Sequence, residues 1–199
     1  MISRNHWNSS CLGLLATLLA GCVSSLPAVE NISEIGTGEV IVVGSMELNP
    51  PLETIEQKLD GYGSERLKNK LIVVTDNKWR VKQGPVSSGD EYFEAILGEP
   101  FYIKSGNKPF YLLEGVIYTH LSGGGADSVY LPGGLKVEVQ PGDKAVYIGK
   151  VRYSRNEYFD ITKAEIVDDY ERANAAFKKK FGAKYNLRKA TVTPVKQKK

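Results

Sequence analysis

Few residues in this chain are equipped for catalysis. Histidine and cysteine each occur twice in 199 residues. His120 lies in the strand-like run Tyr118-Thr119-His120-Leu121, a few residues before Asp127 and Ser128. A Ser–His–Asp relay needs those three groups to converge so that the imidazole can take the serine proton. No nucleophile-elbow sequence accompanies them, and the expectation is a strand-end His120 that is exposed or hydrogen-bonded. A second scheme pairs carboxylates for sugar hydrolysis, and Asp90, Glu91, Glu94 and Glu99 crowd one stretch. Carboxylates this close along a loop are expected to form a solvated face. Ser122-Gly123-Gly124-Gly125 has the glycines of a phosphate cradle, but no Gly-Lys-Ser/Thr follows, so it reads as a hairpin tip. Neither Cys-x-x-Cys nor EF-hand spacing is present, and no metal or cofactor site is expected.

The most informative reactive residue is Cys22. It follows a weakly positive start (Arg4) and the uncharged stretch Cys11–Ala20, which is too short for a membrane-spanning helix and has the length of a signal-peptide core. Leu19-Ala20-Gly21-Cys22 resembles the lipobox of bacterial lipoproteins. The resemblance implies that residues 1–21 are removed, that Cys22 takes a diacylglyceryl thioether, and that its freed amino group is acylated further. Two or more chains anchor stably where one is marginal. An ordinary secretory cut near Ala20 would instead leave Cys22 a plain thiol. Val23, rather than Asp, follows the cysteine. By the same resemblance that favours the outer membrane, facing the periplasm by default. With Cys11 removed and Cys22 lipidated, no disulfide framework remains, and the core alone must hold the domain.

Charge is segregated. Residues 22–182 carry 19 Lys+Arg against 23 Asp+Glu, whereas residues 183–199 carry six basic residues (Lys184, Arg188, Lys189, Lys196, Lys198, Lys199) and no acid. That end reads as a basic, disordered tail able to meet an anionic surface. Nucleic acid is not an expected partner, because an exported protein does not meet it.

These residues need a scaffold. Residues 22–38 read as a lipidated tether and 39–182 as a β-rich domain. Strands are expected over Glu39–Leu48, Lys70–Asp76, Lys78–Lys82, Phe101–Lys104, Phe110–Leu121, Ser128–Leu131, Leu135–Gln140 and Ala145–Ser154. Asp76-Asn77 is expected to turn a hairpin, and Pro141-Gly142 another, pairing Leu135–Gln140 with Ala145–Ser154. Within the last strand, strict alternation puts Tyr147, Gly149, Val151 and Tyr153 on one face. Leu52–Lys58 reads as a short helix and Gly84–Glu91 as a surface loop. Ile166, Tyr170, Ala173, Phe177 and Phe181 recur at helical spacing, which predicts a helix over about 167–181 capped by Asp168 and stopped by Gly182.

The fold expected is mainly β, an antiparallel sandwich of immunoglobulin-like or transthyretin-like character with one C-terminal α-helix. It resembles uncharacterised envelope lipoproteins with such a domain. The function expected is a non-enzymatic binding or scaffolding component of the cell envelope, anchored in the lipid bilayer through Cys22, with an envelope protein or the cell wall as partner. A hydrolase of cell wall or polysaccharide using the loop carboxylates is one alternative, and a surface-exposed, adhesin-like lipoprotein is another.

Overall fold

A computed structural model describes residues 24–57, 69–81, 86–120, 126–158 and 160–195. Its strands, in chain order, are β1 (Ser24–Ser25), β2 (Glu39–Asn49), β3 (Lys70–Asp76), β4 (Glu91–Ile96), β5 (Pro100–Gly106), β6 (Phe110–His120), β7 (Ala126–Glu138), β8 (Ala145–Arg155), β9 (Ile161–Val167), β10 (Arg188–Lys189) and β11 (Thr191–Pro194). One α-helix, α1 (Tyr170–Phe181), follows β9, and a 3-10 turn spans Ile32–Glu34. The strands form two sheets, β1-β4-β3-β6-β7-β11 and β10-β8-β2-β5, with β9 also pairing β8. The fold is therefore a mainly β sandwich with a single C-terminal helix. Most pairs are antiparallel, while β2 with β8, β1 with β4 and β10 with β8 run parallel.

The second sheet is covered twice, which explains why β2 is an unbroken apolar run rather than an alternating one. Val40, Val42 and Met46 face the first sheet and meet Phe93, Leu112, Ile117 and Leu131 in the main core. Ile41 and Val43 point the other way, into a second cluster with Tyr147 and the helix residues Phe177 and Phe181. The helix is thus held by its apolar stripe. Its first turn is served by Asp168, whose Oδ1 accepts the Tyr170 N–H at 3.2 Å, although Asp169 occupies the cap position. At its end Gly182 adopts φ 102° and donates its N–H to the Lys178 carbonyl at 2.9 Å.

Several expectations change. Alternation in β8 breaks at Gly149, which has φ 95°. Val43 lies opposite Tyr147 but Ser45 lies opposite Lys150, so Ile148 and Gly149 together stand against Gly44. This bulge reverses the faces downstream. Val146, Ile148, Val151 and Tyr153 all enter the main core, while Ala145 and Tyr147 turn to the helix side. Pro141-Gly142 does form its turn, with the Asp143 N–H on the Gln140 carbonyl at 3.1 Å. It carries the chain from one sheet to the other, however, so β7 and β8 are not a hairpin. Lys78–Val81 is not a strand, and Ser128–Glu138 lies within one long strand, β7, bent at Pro132–Gly134. β4 and β9 were not expected, and Ile166 belongs to β9 rather than to the helix. In place of a helix at Leu52–Lys58, residues 54–57 form a turn, and Lys58 lies outside the described residues.

Both terminal segments are part of the fold. The expected tether pairs first with β4 and then with β5, and buries Val29. The expected disordered tail buries Leu187 and supplies β10 and β11. Each apolar anchor, short as its segment is, removes surface from water that a free tail would expose.

Candidate functional site

Strand register defines two ends of the sandwich. Ser24 and Thr75 both lie beside Glu91, Asp76 beside Tyr111, Glu39 beside Gly106, and Ile41 beside Ala145. These residues mark the pole where the described chain begins. Asn49 beside Ser154, Lys70 beside Ile96, and Arg155 beside Ile161 mark the far pole.

The far pole carries a cleft of about 650 Å³. Leu48, Leu52 and Leu97 give it apolar wall, and Asn49, Gln57 and Asn69 give it amides. Asn69 holds φ 56°, a left-handed conformation that asparagine tolerates better than most residues. There its carbonyl accepts the Leu97 N–H at 3.0 Å, and its Nδ2 donates to Gln57 Oε1 at 3.1 Å. Gln57 Nε2 in turn donates to the Leu52 carbonyl at 2.8 Å. Asn49 has no hydrogen-bond partner of its side chain among the described residues, and it lies exposed at the rim.

One buried ion pair fixes this wall. Arg155 clamps Glu56 with Nη1 to Oε1 at 2.5 Å and Nη2 to Oε2 at 2.8 Å, and the two side chains are 4% and 5% exposed. The same guanidinium donates to the carbonyls of Pro50 and Pro51 at 2.9 and 2.7 Å. Burial opposes the charge on Glu56, but Arg155 and the Glu53 N–H outweigh it and hold the carboxyl below its usual range. The segment between β2 and the cleft is thus tied to the end of β8 without any strand pairing.

A chain of charges continues from the cleft along the second sheet. Glu47 is hydrogen-bonded by Arg152 and lies 3.5 Å from Lys150, which reaches Asp169 at 3.1 Å. Arg152 also approaches Glu165, whose carboxyl is held low by Lys163 and then by Arg152. Among the described residues Glu47 is the one carboxylate lining the cleft and Arg152 the one cation, and they neutralise each other. The described lining therefore offers hydrogen-bonding amides on an apolar floor with little net charge. Such a surface suits an uncharged ligand rich in hydroxyls and amides.

The sequence-predicted residues lie elsewhere. Cys22 and Ser122–Gly125 are outside the described residues. Backbone register puts His120 opposite Ala126 and Thr119 opposite Asp127, at the end of the β6–β7 pair. Of the acidic stretch, Asp90 precedes β4 and Glu99 lies in the turn before β5, while Glu91 and Glu94 are in a strand. Glu91 and Glu94 stand on β4 at opposite parity, Glu94 bridges Lys70 at 2.8 Å, and Asp90 is 2% exposed and bound by Arg80 at 2.5 Å. They are not brought face to face. In the basic end, Arg188 is paired with Asp143 and Lys189 with Asp168, both at 2.5 Å. Lys196, Lys198 and Lys199 are outside the described residues. Among the described residues no His, Cys, Asp or Glu groups gather as a metal would require. The cleft residues escaped the sequence reading because Asn49, Asn69 and Arg152 meet only through long-range register. The one local hint was Asn49-Pro50-Pro51, which ends a strand.

No family model matches this chain, nor does any curated protein or solved structure.

Proposed function

We propose that this chain is a non-enzymatic binding component of the bacterial envelope, anchored in the outer membrane through acylated Cys22 and facing the periplasm. Its far-pole cleft takes an uncharged, hydroxyl- and amide-bearing polymer, the glycan of the cell wall. The observation that carries the ligand reading is the amide-lined cleft, in which the one carboxylate among the described residues is held by Arg152 and Lys150. Paired-acid hydrolysis needs a second carboxylate facing the first across the sugar. Among the described residues the lining supplies none, and binding without turnover is the reading that these residues support. The anchor rests on Leu19-Ala20-Gly21-Cys22.

Two measurements test the two halves. Fatty-acid labelling in cells should mark the protein and fail with Cys22→Ser, and label retained by that variant refutes the anchor. Sedimentation with purified cell wall should show binding that weakens about fivefold for each hydrogen-bonding side chain lost in Asn49→Ala and Asn69→Gly. Glycine at 69 keeps the positive φ available. Binding unchanged in both variants refutes the cleft, and release of soluble wall fragments would show a hydrolase instead.

A further inference from the structure

The pole where the chain begins bears a charge pattern that the cleft does not use. β1 runs parallel to β4, with Ser24 beside Glu91, so the described chain begins level with the start of β4, at that end of the sandwich. The junction is firmly seated. Ser24 donates its N–H to the Asp90 carbonyl at 3.1 Å, and the Asp90 carboxylate is bound by Arg80 and by the Ser87 N–H at 2.7 Å. Cys22 stands two residues upstream, and a fully extended chain spans at most about 3.6 Å per residue. Two residues therefore bound the separation of that cysteine from the folded rim at about 7 Å.

The rim is assembled from the turns at this pole. Most of its carboxylates are ion-paired: Asp76 and Asp90 share Arg80, while Glu39 meets Lys104, Glu138 meets Lys136, and Asp143 meets Arg188. Lys78, Lys108 and Lys144 are exposed on the same rim and have no ion-pair partner among the described residues. Glu91 is the one exposed acid there without such a pair. The balance of these named charges is positive by one, and its exposed, unpaired cations lie at the same pole as Ser24.

We propose that this rim, through Lys78, Lys108 and Lys144, lies against the anionic headgroups of the bilayer that holds Cys22, so that the cleft points away from the membrane. The inference rests on the anchor of the proposed function but can be tested apart from it. Residues 22–199 contain one cysteine, Cys22, and one tryptophan, Trp79. Coupling Cys22 to a maleimide lipid therefore recreates the attachment whether or not cells acylate it.

The chain so coupled is placed in vesicles of phosphatidylglycerol and phosphatidylcholine whose acyl chains carry bromine. In a Trp79→Phe background, Lys108→Trp reports the rim and Tyr158→Trp reports the far pole, where Tyr158 is 74% exposed. Emission from position 108 should be quenched and emission from 158 should not. Equal quenching at both positions, or quenching at 158 alone, overturns the orientation. In the uncoupled chain with Cys22→Ser, reversing Lys78, Lys108 and Lys144 to Glu should weaken partition onto the same vesicles by about fivefold or more per lysine. Partition unchanged by all three overturns the electrostatic contact. Circular dichroism confirms folding of each variant, since all three lysines are exposed and unpaired.

Discussion

The two terminal segments close opposite open sides of one sandwich, and they are held by different means. Residues 24–29 cross from the β4 edge of the first sheet to the β5 edge of the second. Backbone bonds hold them: Leu26 N–H to the Tyr92 carbonyl, Val29 N–H to that of Tyr102, and Lys104 N–H to that of Pro27, at 2.7–2.9 Å. Residues 187–195 cross between β8 and β7 and add side-chain locks. Leu187 is 3% exposed, Tyr170 Oη donates to its carbonyl at 2.5 Å, and Arg188 holds Asp143. One segment is a strip of main chain with one buried valine, and the other is a keyed insert. A segment with no helix or long strand of its own is ordered here by an edge that would otherwise be open.

That contrast predicts unequal costs. Ending the chain after Gly182 removes Leu187, two strand pairings and the Arg188–Asp143 pair, and uncovers Phe177 and Tyr147. The loss should be at least about 4 kcal/mol, a large share of a typical domain's stability. Chemical denaturation measures it, and an unchanged midpoint would mean that the segment only rests on the surface. Breaking Glu56–Arg155 examines a third way of tying down a segment, by a buried ion pair whose guanidinium also holds two main-chain carbonyls. Glu56→Gln removes the carboxylate charge from a buried pair and should cost about 3 kcal/mol or more, with cleft binding lost at the same time. A variant as stable as the parent would show that the two proline carbonyls suffice. Deleting residues 24–29 should cost less, about 2–3 kcal/mol, for one buried valine and a few main-chain bonds. A deletion cost above that of the C-terminal truncation would invert the comparison.

The parts of this architecture legible from sequence were those written in short range. β2, β3, β6 and β8 show as apolar runs bounded by turn residues, and the Phe177–Phe181 face shows at helical spacing. What failed failed for stated reasons. Gly149 looks like any strand glycine until its positive φ inserts a bulge, after which every face assignment in β8 reverses. β9 reads ITKAEIV, with polar residues on both faces because an edge strand is little buried, so Ile166 was drawn into the helical count. Thr191–Pro194 and Ser24–Ser25 carry no periodic signal at all. Their order comes from the edges that they meet, and an edge is a property of the whole sheet. The cleft is illegible for the same reason, since Asn49, Asn69 and Arg152 share no sequence neighbourhood.

Acidity should loosen one terminal segment and not the other. Arg188, and then the Gln140 N–H, hold the Asp143 carboxyl below its ordinary value of 3.8 against the effect of burial. A carboxyl lowered in the folded state stabilises that state above its ordinary value, and the contribution is lost as pH falls through the folded value. The C-terminal segment therefore has an acid-labile lock, of about 1 kcal/mol for a part-buried charged hydrogen bond. The N-terminal segment has only Glu30 on Lys180, 72% exposed at the carboxylate and screened by solvent. Amide exchange resolves the two locally. The Ala190 N–H, bonded to the Tyr147 carbonyl at 2.9 Å, should lose protection as pH falls below 3.8, after correction for intrinsic rates. The Val29 N–H, bonded to Tyr102, should not follow it. Arg188→Ala should lower protection of Ala190 at neutral pH and flatten its acid dependence. Parallel loss at both amides would trace the effect to the whole fold, and the Arg188–Asp143 lock would then hold nothing of its own.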